Sequence, residues 1–294
     1  MIELPDFNKL WNYSNPQETE AKFRELIPQA EAAKNEAYEA ELLTQIARTQ
    51  GLQRKFEAAH LTLDGIEAWL QNHGEEHRVK IRYLLERGRV FNSSNQPEKA
   101  IPLFTEAWQL AESVAEDYYA VDALHMIAFA EIARPDEKLK WEEKAMALAE
   151  KSQDKRTKLW LGSLYNNMGW SYHDKKAYEK ALSLFEKALE WQQEYGNERS
   201  VGIAKWCIAR AYRSLGRVED ALQLQQKALA KSKGVDSSGY IWEEIAECYW
   251  TLQQKEKAKP YFKLAYDKLS QDPWMMANEK ARMERMKELA EKLI

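Results

Sequence analysis

The sequence predicts an all-α fold built from about six copies of one helix pair, and three observations predict it. A small residue recurs at Ala47, Gly88, Ala128, Gly169, Ala209 and Ala246, at spacings of 41, 40, 41, 40 and 37 residues. A period of this size marks stacked repeats, each burying the hydrophobic face of its neighbour. Apolar residues around each mark fall at helical spacing, and a second helix follows in step. Gly (11) and Pro (8) are sparse in 294 residues, too few for a turn-rich β fold.

The clearest copy runs from Tyr165 to Ala188, with Tyr165, Met168, Gly169 and Tyr172 on a first helix and Ala181, Phe185 and Ala188 on a second. Gly169 and Ala181 let two antiparallel helices approach, and Tyr172 and Phe185 fill the space beside them. The residue before the small one is Ile46, Ile127, Met168, Ile208 or Ile245, with Arg87 in the second copy. Three residues after it stand Phe91, Tyr172, Tyr212 and Tyr249; Gln50 and Glu131 make the first and third copies degenerate. The second helices carry Ala59, Ala100, Ala181, Ala221 and Ala258, then Leu63, Phe104, Phe185, Gln225 and Phe262, then Ile66, Ala107, Ala145, Ala188, Ala228 and Ala265. Two copies share an internal proline, Pro102 and Pro260. The third copy fits worst, with Lys138 and Glu142 in core slots. There Pro135 is expected to shift the second helix and Trp141 to replace the missing aromatic.

Residues 1–37 are expected to form an arm and a capping helix. The arm, to residue 16, is aromatic and turn-prone (Pro5, Phe7, Trp11, Tyr13). Asn15-Pro16 followed by Glu18 and Glu20 signals a helix start, and Pro28 kinks or interrupts that helix. The repeats occupy 38–270, with turns at His73-Gly74, Asn92 to Gln96, Arg134-Pro135, Tyr195 to Asn197 and Lys233-Gly234. Residues 271–294 form a C-terminal cap after Asp272-Pro273, one solvated helix from about Met276 with Met283, Met286, Leu289 and Leu293 at helical spacing. No second domain is expected.

Across roughly residues 38–270 these motifs resemble the tetratricopeptide repeat. Their period of about 40 exceeds the family's shortest, about 34, and is similar to that of peptide-sensing bacterial regulators and kinesin light chains. The chain as a whole resembles bacterial tetratricopeptide proteins of unassigned function. The resemblance implies a right-handed α-solenoid with terminal capping helices, whose first helices line a concave groove. The lining positions lie three before, one after and four after the small residue, on one helical face.

Those positions hold His125, Asn166, Trp206 and Glu243; then Arg48, Arg89, Phe129, Trp170, Arg210 and Glu247; then Asn92, His173, Arg213 and Trp250. Arg beside aromatic rings suits carboxylates and peptide backbone, and Asn can pair with a main chain as donor and acceptor. The expected function is a non-enzymatic scaffold or adaptor that binds a protein or peptide. Trp170 and Trp206 would be the anchors, Arg210 and Arg213 the carboxylate contacts and Asn166 a backbone contact. Arg48 and Arg89 would extend a basic track. A ligand-free ladder, with Glu243 and Glu247 pairing with Arg210 and Arg213, competes with this reading. So does a peptide-sensing regulator that changes shape on binding, although no output domain is visible. The Lys-containing carboxylate clamp of chaperone-tail binders cannot be laid onto these positions.

Other functions have little support. Lys+Arg (43) and Asp+Glu (47) leave a net charge of −4, with no drive toward nucleic acid or an acidic membrane. No apolar run approaches the roughly 20 residues that span a bilayer. The N-terminus has no secretion signal, so a cytoplasmic protein is expected. Cys207 and Cys248 are no disulfide framework and suit small buried hydrophobes. No cofactor motif occurs, and no metal is expected. His73-Gly-Glu-Glu-His77 matches an inverted zinc-peptidase pattern and is the remote hydrolase alternative. Gly74 and the repeat boundary favour a solvated turn there. Glu142-Glu143 and Glu243-Glu244 are expected on solvated helix faces. Most of the 11 Trp are expected to pack helices, and self-association through end helices stays open.

Overall fold

One turn closes five of the helix pairs. Seven residues after the small residue, the backbone enters the left-handed region at Arg54, Asn95, Lys176, Gly216 and Gln253, with φ between 61° and 77°. The next N–H then donates to the carbonyl five residues back, at 2.9 Å each time: Lys55 to Gln50, Gln96 to Phe91, Ala177 to Tyr172, Arg217 to Tyr212 and Gln254 to Tyr249. This is the Schellman closure of a helix C-terminus. A side chain in the left-handed region costs about 1–2 kcal/mol, and only Gly216 escapes that cost. Lys176→Gly is therefore expected to raise the unfolding free energy by about 1 kcal/mol, seen as a higher urea midpoint at unchanged slope. The third copy has Pro135 at this position. Proline cannot take a positive φ; it starts the next helix instead, and the chain turns through Glu131 to Arg134.

The computed structural model describes residues 4–231 and 238–291, which are helical apart from turns and short connections. The chain divides into two compact units, Met1–Trp160 and Leu161–Ile294. The first contains a 3-10 turn (Phe7–Leu10), α1 (Pro16–Arg24) and α2 (Ile27–Ala33). Three stacked pairs follow: α3 (Glu36–Leu52) with α4 (Phe56–Leu70), α5 (His77–Ser93) with α6 (Pro97–Ser113), and α7 (Asp117–Ala130) with α8 (Pro135–Lys151). Short α9 (Lys155–Lys158) ends the unit. The second contains α10 (Leu161–Asp174) with α11 (Tyr178–Tyr195), α12 (Glu198–Ser214) with α13 (Val218–Lys231), and α14 (Ser238–Thr251) with α15 (Lys255–Leu269). Then come α16 (Pro273–Asn278) and α17 (Lys280–Glu291), the latter packed on α15. Each unit is thus an all-α stack of helix pairs. The turn expected at Lys233-Gly234 lies outside the described residues, as does Leu293.

The small residue and the aromatic sixteen residues later form one packing unit. A Cβ built on Gly88 would stand 2.4 Å from Cε1 of Phe104, and one on Gly169 would stand 2.4 Å from Cε1 of Phe185. Both rings are fully buried. Where the small residue is Ala47 or Ala209, the opposing slot holds Leu63 or Gln225, which need less room; Ala246 opposite Phe262 is the exception.

The degenerate positions are buried and satisfied by polar partners. Arg87 reaches back to α4, where its guanidinium meets Asp64 at 2.5 Å and His60 Nδ1 at 2.9 Å. The Gln50 amide meets Thr62 Oγ1 at 2.9 Å, and Glu131 pairs with Arg134. Glu142 occupies the third copy's aromatic slot itself, with Lys138 3.5 Å away. Trp141 therefore does not take that slot; it meets Trp108 edge-on at 5.9 Å.

The ends follow their caps. Asn15 accepts from Glu18 N–H to open α1. Pro28 stands in the first turn of α2, so the expected interruption is a clean break between two helices. The C-terminal segment is not one helix. Asp272 caps Pro273–Asn278, the chain breaks at Glu279, and α17 then buries Met283 and Met286. The carboxylate cap and Pro273 start a helix earlier than hydrophobic spacing alone indicates.

Candidate functional site

In the second unit the first-helix faces of α10, α12 and α14, together with α16 and α17, enclose a cleft of about 920 Å³. Its wall is a run of rings. Trp206 lies 5.4 Å from Trp170 on one side and 5.4 Å from Tyr240 on the other, and Trp274 closes the end, mostly exposed. Of the residues expected in a groove, Trp170, Trp206, Arg210, Glu243 and Glu247 meet here.

The charges are paired differently from the ladder considered above. Glu243 takes a bidentate contact from Arg282 of α17, at 2.7 and 2.5 Å, and Glu247 takes one from Arg285. Arg213 is bound to Glu244, at 2.6 and 3.2 Å, and Glu244 is fully buried. Glu142, Glu243 and Glu244 are thus buried acids, not members of solvated faces. Burial disfavours the charged Arg213, but Glu244, with Glu247 behind it, outweighs burial and holds the guanidinium above its ordinary pKa.

Arg210 has only a weak partner among the described residues. Its Nε is 3.9 Å from Glu244, beyond hydrogen-bond reach, and its guanidinium stands 5.9 Å from the Trp206 ring. Arg210 Nε and Trp206 Nε1 are both buried donors with no hydrogen-bond acceptor among the described residues. Buried polar atoms in native proteins are nearly always hydrogen-bonded; neither atom touches solvent here, so an incoming carboxylate or peptide carbonyl reaches them as the two side chains turn toward the cleft.

Four expected residues of this unit do other work. Asn166 accepts from Cys207 Sγ at 3.3 Å and lines a separate small cavity. His173 Nε2 is 2.9 Å from Ser214 Oγ. Trp250 packs edge-on against Phe262, and Arg213 is committed to Glu244. Both cysteines are fully buried, and burial pushes each thiol up to about 12.

The first unit presents its predicted face differently. Arg89 is held by Asp122 at 2.5 Å and Glu86 at 2.6 Å, and Arg48 by Glu86 at 3.2 Å. Burial alone would raise the Asp122 carboxyl, but Arg89 and Arg48 together outweigh it and keep the pKa below the ordinary value. His125 lies against Trp160 at 5.3 Å, and burial lowers its pKa. Phe129 is mostly exposed and Asn92 half-buried. His73 and His77 flank a turn instead of sharing a helix. His73 stacks on Trp69 at 4.0 Å, and its Nδ1 is 2.8 Å from the Trp69 carbonyl. Among the described residues no three His, Cys, Asp or Glu side chains gather as metal ligands.

Sequence reasoning missed Arg199, Ile203, Tyr240, Trp274, Arg282 and Arg285. Arg199, Ile203 and Tyr240 continue the lining stripe one or two turns toward the helix N-termini, so extending the 3.6-residue period would have found them. The others come from the segment read as a solvated cap.

Comparison with known proteins gives the fold a context. Tetratricopeptide repeat models match residues 162–195, 240–267 and 207–235. Outer dynein arm-docking complex subunit 4 of Danio rerio is 27% identical over 119 residues, 40% of this chain and 24% of that one; the match therefore spans about a quarter of that relative's length. A signal transduction ATPase with numerous domains and a tetratricopeptide repeat sensor, from Pyrococcus horikoshii, superposes with a TM-score of 0.73 at 15% identity, covering 93% of this chain and 42% of that one. The quorum sensor NprR from B. thuringiensis superposes in its apo form (TM-score 0.60, 15% identity, 94% and 84% covered). NprR in complex with its cognate peptide NprX does so too (0.57, 18%, 97% and 83%). Likeness at such identities shows fold alone, and relatives from a fish, an archaeon and a bacterium single out no lineage. The helix pairs that the models match, all in the second unit, are of the tetratricopeptide type.

Proposed function

We propose that this chain is a protein- or peptide-binding scaffold whose site is the cleft of the second unit. One observation carries the reading: an aromatic wall of Trp170, Trp206 and Tyr240 beside two buried donors, Arg210 Nε and Trp206 Nε1, that have no acceptor among the described residues. The ligand that suits it is an extended segment with an apolar or aromatic side chain next to a carboxylate. The ring wall buries the first, and Arg210 pairs with the second. Arg282 and Arg285 hold Glu243 and Glu247, so they shape the cleft and leave Arg210, with Arg199 nearer the helix N-terminus, as recognition charges. No described helix is long and apolar enough to cross a membrane, and a cytoplasmic location belongs to the proposal.

The test is affinity capture from source-cell lysate with the wild-type chain beside a Trp206→Ala/Arg210→Ala variant of equal helicity. A partner held by wild type is expected to bind the variant at least about tenfold more weakly, since central aromatic and Arg contacts commonly exceed 1.4 kcal/mol. Equal retention would remove the cleft from the account. A second reading, a sensor that changes shape on binding a peptide, is supported by fold-level likeness to NprR alone. A ligand-dependent change in radius of gyration would favour it.

A further inference from the structure

The first-helix face of the first unit carries an occupant, the chain's own N-terminal arm. The Pro5 carbonyl accepts from Tyr38 Oη at 2.8 Å, Arg82 Nη2 donates to Asn8 Oδ1 at 3.0 Å, and Trp11 Nε1 donates to Gln45 Oε1 at 3.2 Å. The rings of Trp11 and Tyr13 stack at 4.7 Å and 7°, and the Arg48 guanidinium lies 5.7 and 5.5 Å from them. Arg48 stands one residue after the small residue of its helix, the same repeat position as Arg210. In this unit the arginine's aromatic partners come from the arm, and in the other Arg210 has Trp206 of its own helix.

Phe7 is buried against Phe23 and Tyr38, whereas Tyr13 is 60% exposed. Phe7 is not the arm's only anchor: Trp11 meets Phe23 edge-on at 5.3 Å, and the Asn12 N–H donates to Thr19 Oγ1 at 3.1 Å. Yet the arm does not complete the surface beneath it. A polar cavity of about 180 Å³ remains under residues 8–13. Arg48 Nε, Arg82 Nε and Glu86 Oε2, all buried, have no hydrogen-bond partner among the described residues. The arm itself leaves these atoms unpaired.

We propose that residues 8–13 are a tethered, imperfect ligand covering a second peptide site. The occupant that displaces them is an extended protein segment with an aromatic pair for Arg48 and a longer polar side chain that both donates to Glu86 and accepts from Arg82. Phe7 and α1 stay in place, and residues 8–13 bow outward between them. This site lies wholly within the first unit and stands or falls apart from the cleft of the second.

The test uses the full chain and a fluorescein-labelled, acetylated peptide of residues 8–14, followed by fluorescence anisotropy. Its affinity is expected to rise at least tenfold from wild type to Trp11→Ala/Tyr13→Ala, with Tyr13→Ala between. Binding should fall when Arg48→Ala is added to the double variant, and stay unchanged when Trp206→Ala/Arg210→Ala is added. Equal or absent binding to wild type and double variant, at wild-type helicity, would make the arm a fixed cap and overturn the proposal. So would loss of binding on the cleft substitutions. Should the double variant fail to fold, Tyr13→Ala alone decides, because its side chain is mostly exposed, and an affinity equal to wild type there overturns the proposal.

Discussion

Phe185→Ala is expected to lower the unfolding free energy by about 3–5 kcal/mol, the usual cost of emptying a fully buried aromatic site. The ring is fully buried and lies against the α carbon of Gly169, so its loss opens a cavity between two helices whose spacing other contacts hold. Gly169→Ala fails for the opposite reason. Its methyl would meet the ring at 2.4 Å, and overpacking of this kind costs about 1–3 kcal/mol. The two changes should not add. With Phe185 removed the methyl has room, so Gly169→Ala in that background is expected to be near neutral, a coupling of about 1 kcal/mol or more. Urea unfolding followed by far-UV circular dichroism measures all four chains. Additive losses would mean that Gly169 and Phe185 do not act as a packing pair.

Arg213→Met is the second large effect, at about 3–5 kcal/mol, because it strands a buried carboxylate. Glu244 is fully buried, and Arg213 supplies both of its hydrogen bonds at 2.6 and 3.2 Å; Arg210, at 3.9 Å, is too far to replace them. Replacing both partners with apolar groups of similar volume removes the stranded charge. Arg213→Met/Glu244→Leu is therefore expected to recover most of the loss, as buried pairs commonly do on joint replacement. If Arg213→Met changed the denaturation midpoint by less than about 1 kcal/mol equivalent, the pair would not be structural, and Arg213 would return to the candidate binding residues.

The packing register was legible because it is local. A small residue and an aromatic sixteen positions later report one helix pair, and the Gly88 and Gly169 pairs place both partners where the sequence puts them. The left-handed turn residue was not legible, because Arg54, Lys176 and Gln253 show none of the glycine preference that usually marks such a conformation. In the site, Trp170, Trp206 and Arg210 follow from helical phase on their own helices. The fate of the acids does not. Glu243 and Glu244 are sequence neighbours on one helix, yet the first is paired with Arg282, 39 residues on, and the second with Arg213, 31 residues back. Which acid meets which arginine depends on helices packed from distant segments, and periodicity carries no information about that choice. The terminal segments misled for the same reason. The charged stretch read as a solvated cap supplies Arg282 and Arg285 to the cleft, and the irregular arm supplies Trp11 and Tyr13 to Arg48.

Recognition by the second unit's cleft is read out by a selection of random peptides of about twelve residues displayed on phage against the wild-type chain and the Trp206→Ala/Arg210→Ala variant. Wild type is expected to enrich peptides sharing an apolar or aromatic residue beside an acidic one, and the variant to lose them. Enrichment of the same peptides on both chains, or of sequences with no acidic residue, would contradict the assignment of the second unit's cleft as the binding site.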